Sequence, residues 1–179
     1  MSKKLIILDR DGVINHDSDA YIKSPQEWIP IKGSLEAISR LNKAGYLIAI
    51  ATNQSGIGRG YYDLVSLKAM HQKMQNLLTP LGGRIDQIAF CPHLPDANCE
   101  CRKPKAGMLT HIIKKLNIKP ENTVMIGDTI SDFQAATTAK IAFTLVKTGK
   151  GERTLRQAKL PKHLPVYTDL VTYVNQLLN

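Results

Sequence analysis

Lys4-Leu5-Ile6-Ile7-Leu8, followed at once by Asp9-Arg10-Asp11-Gly12, is the stretch of sequence that decides the fold. Its first part is short and apolar, as is typical of a strand that is buried on both faces of a parallel sheet. Asp9 and Asp11 are two positions apart, so in extended backbone their side chains lie on the same side. The stretch therefore predicts a buried strand whose carboxyl end carries two carboxylates.

Strand-like and helix-like segments alternate along the rest of the chain. Strands are predicted at 46–51, 85–91, 123–126 and 141–146, and helices at about 34–44, 63–78, 108–116, 131–140 and 169–178. We expect Ser34 and Asp63 to cap the first two helices. Because strands that alternate with helices form βαβ crossovers, the sequence predicts an α/β fold with a mainly parallel sheet and helices on both faces.

Length and composition limit the class of protein. The chain has 179 residues, of which 43% are hydrophobic, and this fits a single domain over residues 1–179. The longest apolar runs, 5–8 and 47–51, are far shorter than the roughly 18 residues of a membrane-spanning helix. The N-terminal run is also too short for a signal-peptide core. We therefore expect a cytoplasmic protein that does not cross a membrane and is a monomer.

The charge is uneven. The formal net charge of +9 favours an anionic partner, which can be a metabolite, a nucleic acid or a lipid surface. Six basic residues, against one acid, lie between Lys147 and Lys162. We expect this basic C-terminal segment, about residues 147–163, to be a solvated and partly flexible face. Aromatic residues make up only 6% of the chain and do not alternate with basic ones, which argues against nucleic-acid binding.

Acidic side chains follow two of the predicted strands. In open parallel sheets, ligands bind outside the carboxyl ends of the strands. Asp9 and Asp11 directly follow the first predicted strand. Asp128 comes after Gly127, at the end of the fourth predicted strand, 123–126. Three convergent carboxylate oxygens are suitable ligands for Mg²⁺, which takes its remaining ligands from water and phosphate. The sequence therefore predicts a magnesium site at this edge of the sheet.

Two further segments carry groups that suit phosphate, one after the second predicted strand and one before a predicted helix. Thr52-Asn53-Gln54-Ser55-Gly56 supplies hydroxyls, amides and backbone N–H groups that can surround phosphate oxygens. Lys103 can place a compact positive charge on a phosphoryl oxygen, and Arg102 can clamp a substrate with two donors. The chain therefore carries, in this order, an acid pair, a Thr-Asn pair, a lysine and the Gly127-Asp128 pair. Each lies at a strand end or at a helix start.

These motifs resemble the haloacid dehalogenase (HAD) superfamily of phosphohydrolases. The superfamily's four motifs match Asp9-Arg10-Asp11-Gly12-Val13, Thr52-Asn53, Lys103, and Gly127-Asp128 with Asp132. Within the superfamily, the chain resembles the heptose bisphosphate phosphatase family in the segments 8–15, 24–28, 52–60 and 101–104. The likeness extends from about Lys3 to Gly149.

The resemblance implies a Rossmann-like HAD fold and an Mg²⁺-dependent phosphomonoesterase. In such an enzyme Asp9 would form an aspartyl phosphate, and Asp11 would act first as acid and then as base. Mg²⁺ would be held by Asp9, the Asp11 backbone carbonyl and Asp128. Lys103 and the Thr52 hydroxyl would offset charge on the transferring phosphoryl group. The candidate substrate-binding residues are Asp17, Thr52, Asn53, Gln54, Ser55, Arg59, Arg102 and Lys103.

Two further expectations follow from the same motifs. Asp132, four residues after Asp128, is expected to orient Lys103 or a metal-bound water and not to bind the metal itself. No segment is long enough to form a separate cap domain, so we expect the loops 15–30 and 56–61, with the cysteine-rich loop, to close the site.

The three cysteines of the chain form one cluster with a histidine. Cys91, His93, Cys99 and Cys101 lie within eleven residues, which is the composition of a closed structural Zn²⁺ site. An odd number of cysteines, all close together, argues against a disulfide scaffold. We expect a zinc loop at about residues 91–103 that positions Arg102 and Lys103.

Alternative functions remain open at this stage. The family resemblance favours removal of the 7-phosphate of D-glycero-D-manno-heptose 1,7-bisphosphate, in the biosynthesis of nucleotide-activated heptose for lipopolysaccharide. The short gap between His93 and Cys99 also resembles histidinol-phosphate phosphatases, which makes histidinol phosphate an alternative substrate. A third alternative, of another class, is a phosphatase of nucleic-acid 3′ ends that binds DNA.

Overall fold

The chain forms a single six-stranded sheet with helices on both faces. The structure is a computed structural model that describes residues 3–179. The strands are β1 (Leu5–Leu8), β2 (Leu47–Asn53), β3 (Gln87–Cys91), β4 (Thr123–Gly127), β5 (Ala142–Val146) and β6 (Val166–Tyr167). The helices are α1 (Ser34–Lys43), α2 (Ser55–Gly58), α3 (Leu64–Leu78), α4 (Gly107–Leu116), α5 (Ile130–Thr138), α6 (Gly151–Gln157) and α7 (Leu170–Leu178).

The strand order is β3-β2-β1-β4-β5-β6, and every pair of neighbouring strands is parallel. β1 lies at the centre, where Leu5 pairs with Leu47 on one side and with Thr123 on the other. The predicted α/β fold with a mainly parallel sheet is confirmed. Because the strands are parallel, the carboxyl ends of β1, β2 and β4 meet at one edge of the sheet.

The core has two halves, one on each face of the sheet. Ile6 and Leu8 pack on one face against α1, α3 and α7, whereas Leu5 and Ile7 pack on the other face against α4 and α5. All four residues of β1 are buried. This explains the unbroken apolar run at the start of the chain, since a strand covered on both faces has no solvent side.

Helix starts follow the predicted pattern at one position and differ at another. The Asp63 side chain accepts a hydrogen bond from the Ser66 N–H, so the predicted cap of α3 is confirmed. The predicted cap of α1 is wrong, because Gly33 occupies the cap position and Ser34 is already helical. The Ser34 hydroxyl instead donates to the Ile14 carbonyl at 2.6 Å, which joins α1 to the loop before it.

The basic C-terminal segment is mostly exposed, but two of its residues contact Asp128, directly after β4. It contains α6, and most of its basic side chains are exposed as expected. Thr154, however, is buried and its hydroxyl donates to the Asp128 carbonyl at 2.8 Å. Lys150 is half-buried beside the same acid. The charge pattern did not indicate these two contacts, because it carries no information on contacts with distant strands.

None of the helices in residues 3–179 is long and apolar enough to span a membrane.

Candidate active site

A cleft of about 300 Å³ opens at the carboxyl edge of the sheet. Its floor comes from the ends of β1, β2 and β4, and one wall comes from the loop between β1 and α1. The predicted site residues that line it are Asp9, Asp11, Asp17, Thr52, Asn53, Gln54, Ser55, Arg102, Lys103 and Asp128. Its size and polarity suit a small, highly polar ligand.

Lys103 lies between two acids at the bottom of the cleft. Its ammonium group is 3.0 Å from Asp9 Oδ1 and 2.7 Å from Asp132 Oδ1, and it also donates to the Ala51 carbonyl at 2.7 Å. Burial would lower the pKa of Lys103, but the adjacent Asp132 and Asp9 charges raise it above its usual range. Lys103 is therefore a fixed positive charge.

Asp132 is held from two sides. Its Oδ2 accepts hydrogen bonds from the Thr129 N–H and hydroxyl at 3.0 and 2.7 Å, which caps α5. Its Oδ1 faces Lys103. The placement agrees with the expectation that Asp132 orients Lys103.

The acids of the cleft floor crowd together. Asp9, Asp128 and Asp132 each have a carboxylate oxygen within 4.8 Å of the others. Burial raises the pKa of Asp9 to about 7, although Lys103 opposes the shift. Burial also raises the pKa of Asp128 well above its usual range, and the Asp9 and Asp132 charges add to the effect. Crowded carboxylates of this kind are stabilised as anions by a bound cation.

Asp128 has one oxygen that is free to bind a cation. Its Oδ2 accepts the Lys150 N–H at 2.7 Å, whereas its buried Oδ1 has no hydrogen-bond partner among the described residues. Gly12 makes this arrangement possible: it has φ +85°, and a Cβ there would collide with the Asp128 carboxylate. The donor set of carboxylate oxygens fits Mg²⁺.

Asp11 is held as an ionised carboxylate. The Arg10 guanidinium, fully buried, donates to both of its oxygens at 2.9 and 3.0 Å. Asn15 Nδ2 and Gln54 Nε2 donate at 2.8 and 2.9 Å. Burial would raise the pKa of Asp11, but Arg10 and the two amide donors hold it below its usual range. In this state the group can accept a proton.

Two of the predicted substrate-binding amides contact the protein itself. The Asn53 side chain donates to the Lys103 carbonyl at 3.0 Å and accepts the Lys103 N–H at 3.1 Å, so it holds the backbone of that lysine. Gln54 Nε2 donates both to Asp11 and, at 2.8 Å, to Thr52 Oγ1. Their direct contact with a substrate stays a prediction.

The remaining predicted ligands differ in position. Asp17 and Ser55 line the cleft, as does Arg102, whose guanidinium donates to the His93 carbonyl at 3.3 Å. Arg59 lies on the exposed turn after α2, outside the residues that line the cleft. Contact between Arg59 and a substrate stays a prediction.

Sequence reasoning missed several residues of the site. Arg10 is one of them: it belongs to the motif around Asp9 and Asp11, and an arginine that is buried there needs a carboxylate partner. Tyr62 contacts Gln54 Oε1 through its hydroxyl, and Lys150 comes from a segment 22 residues beyond Asp128. Neither had a signal in the local sequence. Thr129 and Ser131 are also missed residues of the cleft wall, whereas Ser18, Asp19, Tyr21 and Ile22 belong to the loop 15–30 that is expected to close the site.

The Cys and His side chains of the predicted zinc loop converge. The ligand atoms of Cys91, His93, Cys99 and Cys101 all lie within 4.8 Å of one another. Cys91 Sγ is 3.6 Å from Cys99 Sγ and 3.5 Å from His93 Nδ1. Ligands about 2.3 Å from a tetrahedral Zn²⁺ are separated by about 3.8 Å, so the spacing fits the ion.

The chain is similar to known proteins over almost its whole length. A model of the HAD-hydrolase-like family matches residues 100–173. The chain is 50% identical over 175 residues to D-glycero-beta-D-manno-heptose-1,7-bisphosphate 7-phosphatase of Pseudomonas putida, covering 98% of this chain and 99% of that one. It is 51% identical over 178 residues to the protein of the same name from Pseudomonas aeruginosa, covering 99% of each.

Solved structures give the same result. The crystal structure of D,D-heptose 1,7-bisphosphate phosphatase from B. bronchiseptica, complexed with magnesium and phosphate, has a TM-score of 0.95 and 48% identity and covers 98% of both chains. The corresponding enzyme from Burkholderia thailandensis has a TM-score of 0.78 and 41% identity, and 99% of each chain is covered.

Proposed function

Since the chain belongs to the D-glycero-beta-D-manno-heptose-1,7-bisphosphate 7-phosphatase family of HAD-like hydrolases, we propose that it removes the 7-phosphate of this heptose bisphosphate. It is a phosphoric monoester hydrolase. The observation that carries the proposal is the position of Asp9 Oδ1, 3.0 Å from Lys103 Nζ, at the bottom of a small polar cleft. A nucleophilic carboxylate beside a fixed positive charge is the arrangement that phosphoryl transfer needs. The product would enter the biosynthesis of nucleotide-activated heptose.

Mg²⁺ fits the cleft floor because the buried Asp128 Oδ1 accepts no hydrogen bond from residues 3–179, and Asp9, Asp128 and Asp132 each offer an oxygen within 4.8 Å of the others. Asp9, the Asp11 backbone carbonyl and Asp128 would hold the ion. When bound, it supplies positive charge that offsets the charge of the phosphoryl group. The magnesium and phosphate in the related B. bronchiseptica enzyme support this assignment.

Four side chains carry the proposed reaction. Asp9 attacks phosphorus, the bond to the sugar oxygen breaks, and an aspartyl phosphate forms. Asp11 gives a proton to the leaving oxygen and later takes one from the water that hydrolyses the intermediate. The low pKa of Asp11 suits the second step. For the first step, Asp11 has to take up a proton from solvent when the anionic phosphate binds, and it passes this proton to the leaving oxygen. Lys103 and Thr52 stabilise the negative charge in both steps.

The cysteine cluster has a structural role in this proposal. With Cys91, His93, Cys99 and Cys101 all bound to Zn²⁺, no coordination position remains for water. The cluster lies directly before Arg102 and Lys103 in the chain, so the ion would fix the turn that places them. Arg102 is then presented to the part of the substrate away from the reacting phosphate.

The remaining properties are also proposed from the sequence. We propose that residues 1–179 act as one domain, as a cytoplasmic monomer, and without a nucleic-acid partner. The three cysteines form no disulfide, which fits a reducing compartment.

A phosphate-release assay with the purified protein and Mg²⁺ tests the function. The substrates are the α and β anomers of heptose 1,7-bisphosphate, histidinol phosphate, fructose 1,6-bisphosphate and a 3′-phosphorylated oligonucleotide. We expect kcat/KM for the β anomer to exceed that for histidinol phosphate by at least about 100-fold, which is within reach of a site built for polar contacts. The Asp9→Asn variant, purified in the same way, controls for contaminating phosphatases. An equal or higher value for histidinol phosphate would refute the heptose assignment.

A further inference from the structure

Lys150 contacts two separate parts of the cleft. Its backbone N–H donates to Asp128 Oδ2 at 2.7 Å. Its ammonium group lies 3.1 Å from Asp17 Oδ2 and 3.7 Å from Asp19 Oδ1. The two contacts use different groups of the residue. A substitution of the side chain therefore removes the second contact and keeps the first.

Asp17 and Asp19 belong to the wall of the cleft formed by the loop 15–30. Residues 17–19, 21 and 22 of this loop line the cleft. The later part of the loop is fixed by Lys73, whose ammonium group donates to the Pro25 and Trp28 carbonyls at 2.6 and 2.8 Å. In the part that faces the cleft, Ile22 is buried in the core and the Tyr21 ring packs on Tyr61. Asp17 and Asp19, at the start of this part, pair instead with the basic side chains of a distant segment.

Lys150 and Arg153 are the cations that pair with this wall, and Lys150 lies closer to its carboxylate partner. Arg153 is 3.5 Å from Asp19 Oδ1, and both of these side chains are largely exposed, so the pair is weak. The Lys150 pair with Asp17 is better shielded, with the two side chains 36% and 17% exposed. Ion pairs gain strength as their exposure to water falls. We therefore expect the position of Asp17 to depend on Lys150.

The charge of Asp17 also needs to be offset. A phosphorylated sugar is an anion, and Asp17 lines the same cleft as Asp9, Asp11 and Asp128. An unpaired carboxylate at this place would repel the substrate, whereas a paired carboxylate can still accept hydrogen bonds from sugar hydroxyls. The charge of Asp17, in turn, raises the pKa of Lys150 above its usual range against the opposing effect of burial.

We propose that Lys150 is a positioning residue for substrate specificity, whose ammonium group holds Asp17 and with it the cleft wall 17–22 against the sugar part of the substrate. This inference rests on the proposed function in that the substrate is a phosphorylated sugar. The backbone N–H of Lys150 orients Asp128 independently of the side chain. Lys150 thus contacts both Asp17, in the wall that faces the sugar, and Asp128, the acid that faces the metal.

The first test compares a sugar substrate with one that lacks the sugar. In Lys150→Met, the ratio of kcat/KM for heptose bisphosphate to kcat/KM for p-nitrophenyl phosphate should fall by about tenfold, mainly through a higher KM for the heptose. Lys150→Arg should restore most of the ratio, and the Mg²⁺ concentration for half-maximal rate should be the same in Lys150→Met as in the parent. Lys147→Met is the matched control, since Lys147 carries the same charge in the same segment but pairs with exposed Glu152 at 3.6 Å.

The second test is a double-mutant cycle with Asp17→Asn. If Lys150 acts through Asp17, Asp17→Asn should change the ratio far less in the Lys150→Met background than in the parent. Losses that add in the double variant would overturn the proposal. So would a fall of the ratio in Lys147→Met as large as that in Lys150→Met.

A third measurement does not depend on the substrate. Amide hydrogen exchange of residues 16–23, measured with Mg²⁺ and inorganic phosphate present, should be faster in Lys150→Met and unchanged in Lys147→Met. Unchanged exchange in Lys150→Met would overturn the proposal even if activity falls. If the parent releases no phosphate from heptose bisphosphate, the proposed function fails, while the exchange comparison still decides the role of Lys150.

Discussion

The ammonium group of Lys103 lies 2.7 Å from Asp132 Oδ1, and neither side chain is more than 1% exposed. Asp132 uses its other oxygen to cap α5. One acid therefore ties the start of a helix to the cation beside the nucleophile. Since Lys103 is also fixed through its backbone by Asn53, its position depends on α5, β2 and the zinc loop together.

Asp132→Asn separates the two roles of Asp132. The asparagine carbonyl can keep the cap of α5, but its amide nitrogen would then face the Lys103 ammonium. Breaking a buried ion pair on one side typically costs about 3 kcal/mol of unfolding free energy or more. We expect a loss of about this size in chemical denaturation and a kcat at least about tenfold lower. Asp132→Ala, which removes the cap as well, should be less stable still; equal stability of Asp132→Asn and the parent would contradict the prediction.

Asp9→Asn should abolish turnover while the fold is kept. An amide cannot act as the anionic nucleophile, but it has nearly the same shape and can still accept the Arg10 N–H, which donates to Asp9 Oδ1 at 2.7 Å. Phosphate release measures the loss, and circular dichroism checks the fold. Asp11→Asn should be nearly as severe. Phosphate release by Asp9→Asn at a rate close to the parent would rule out the covalent mechanism.

The sequence predicted the elements that depend on local pattern. Strand ends could be found from short apolar runs followed by acids, and the convergence of Cys91, His93, Cys99 and Cys101 from the density of Cys and His in one loop. The Asp63 cap was found for the same reason, since an N-cap is a contact between residues three positions apart.

Contacts between distant segments could not be predicted. Lys150 contacts Asp128 only because β5 lies beside β4 in the sheet. No local sequence pattern indicates which strands are neighbours. Gln54 follows a strand, but the sequence did not indicate that its Nε2 donates to Asp11 and Thr52. Ser34 looked like a cap because serine favours that position, but the hydroxyl found a carbonyl in the preceding loop. In each case tertiary packing chose among partners that the sequence left open.

Activity should require Mg²⁺ and be lost with EDTA, and Asp128→Asn should weaken the metal dependence. The variant can keep its carbonyl on the Lys150 N–H while its amide nitrogen replaces the oxygen that has no donor. We expect the Mg²⁺ concentration for half-maximal rate to rise at least about tenfold, equivalent to about 1.4 kcal/mol of binding free energy. Glu121→Gln, at an exposed acid, is the control. Full activity in metal-free buffer would contradict the assignment.

His71 should make the stability depend on pH. Burial, with the positive charge of Arg10 as the second cause, lowers the pKa of His71 to about 4. The unfolded chain therefore binds a proton at a higher pH than the folded chain, so this group costs stability as the pH falls from about 7 towards 4. Between pH 7 and pH 5 the unfolding free energy of the parent should fall by about 1 to 2 kcal/mol more than that of His71→Gln. Chemical denaturation at both pH values measures the difference, with His111→Gln, at an exposed position, as control. Equal slopes for the parent and His71→Gln would contradict the prediction.

The last prediction separates the two metals. Thiolates and imidazole prefer Zn²⁺, whereas carboxylates and water prefer Mg²⁺, so protein purified under reducing conditions should carry about one tightly bound zinc per chain. In Cys99→Ser the zinc content should fall, and the turn that holds Arg102 and Lys103 should lose order because metal binding and loop folding are coupled. kcat/KM should then fall by at least about tenfold, while circular dichroism shows the sheet intact. Cys91, Cys99 and Cys101 contact the half of the core that packs on α4 and α5, but the half that packs on α1, α3 and α7 contains no residue of the loop. Asp96→Asn, at an exposed position in the same loop, should keep both zinc and activity. Absence of zinc from the parent, or parental activity and thermal stability in Cys99→Ser, would mean that the loop is held without the metal.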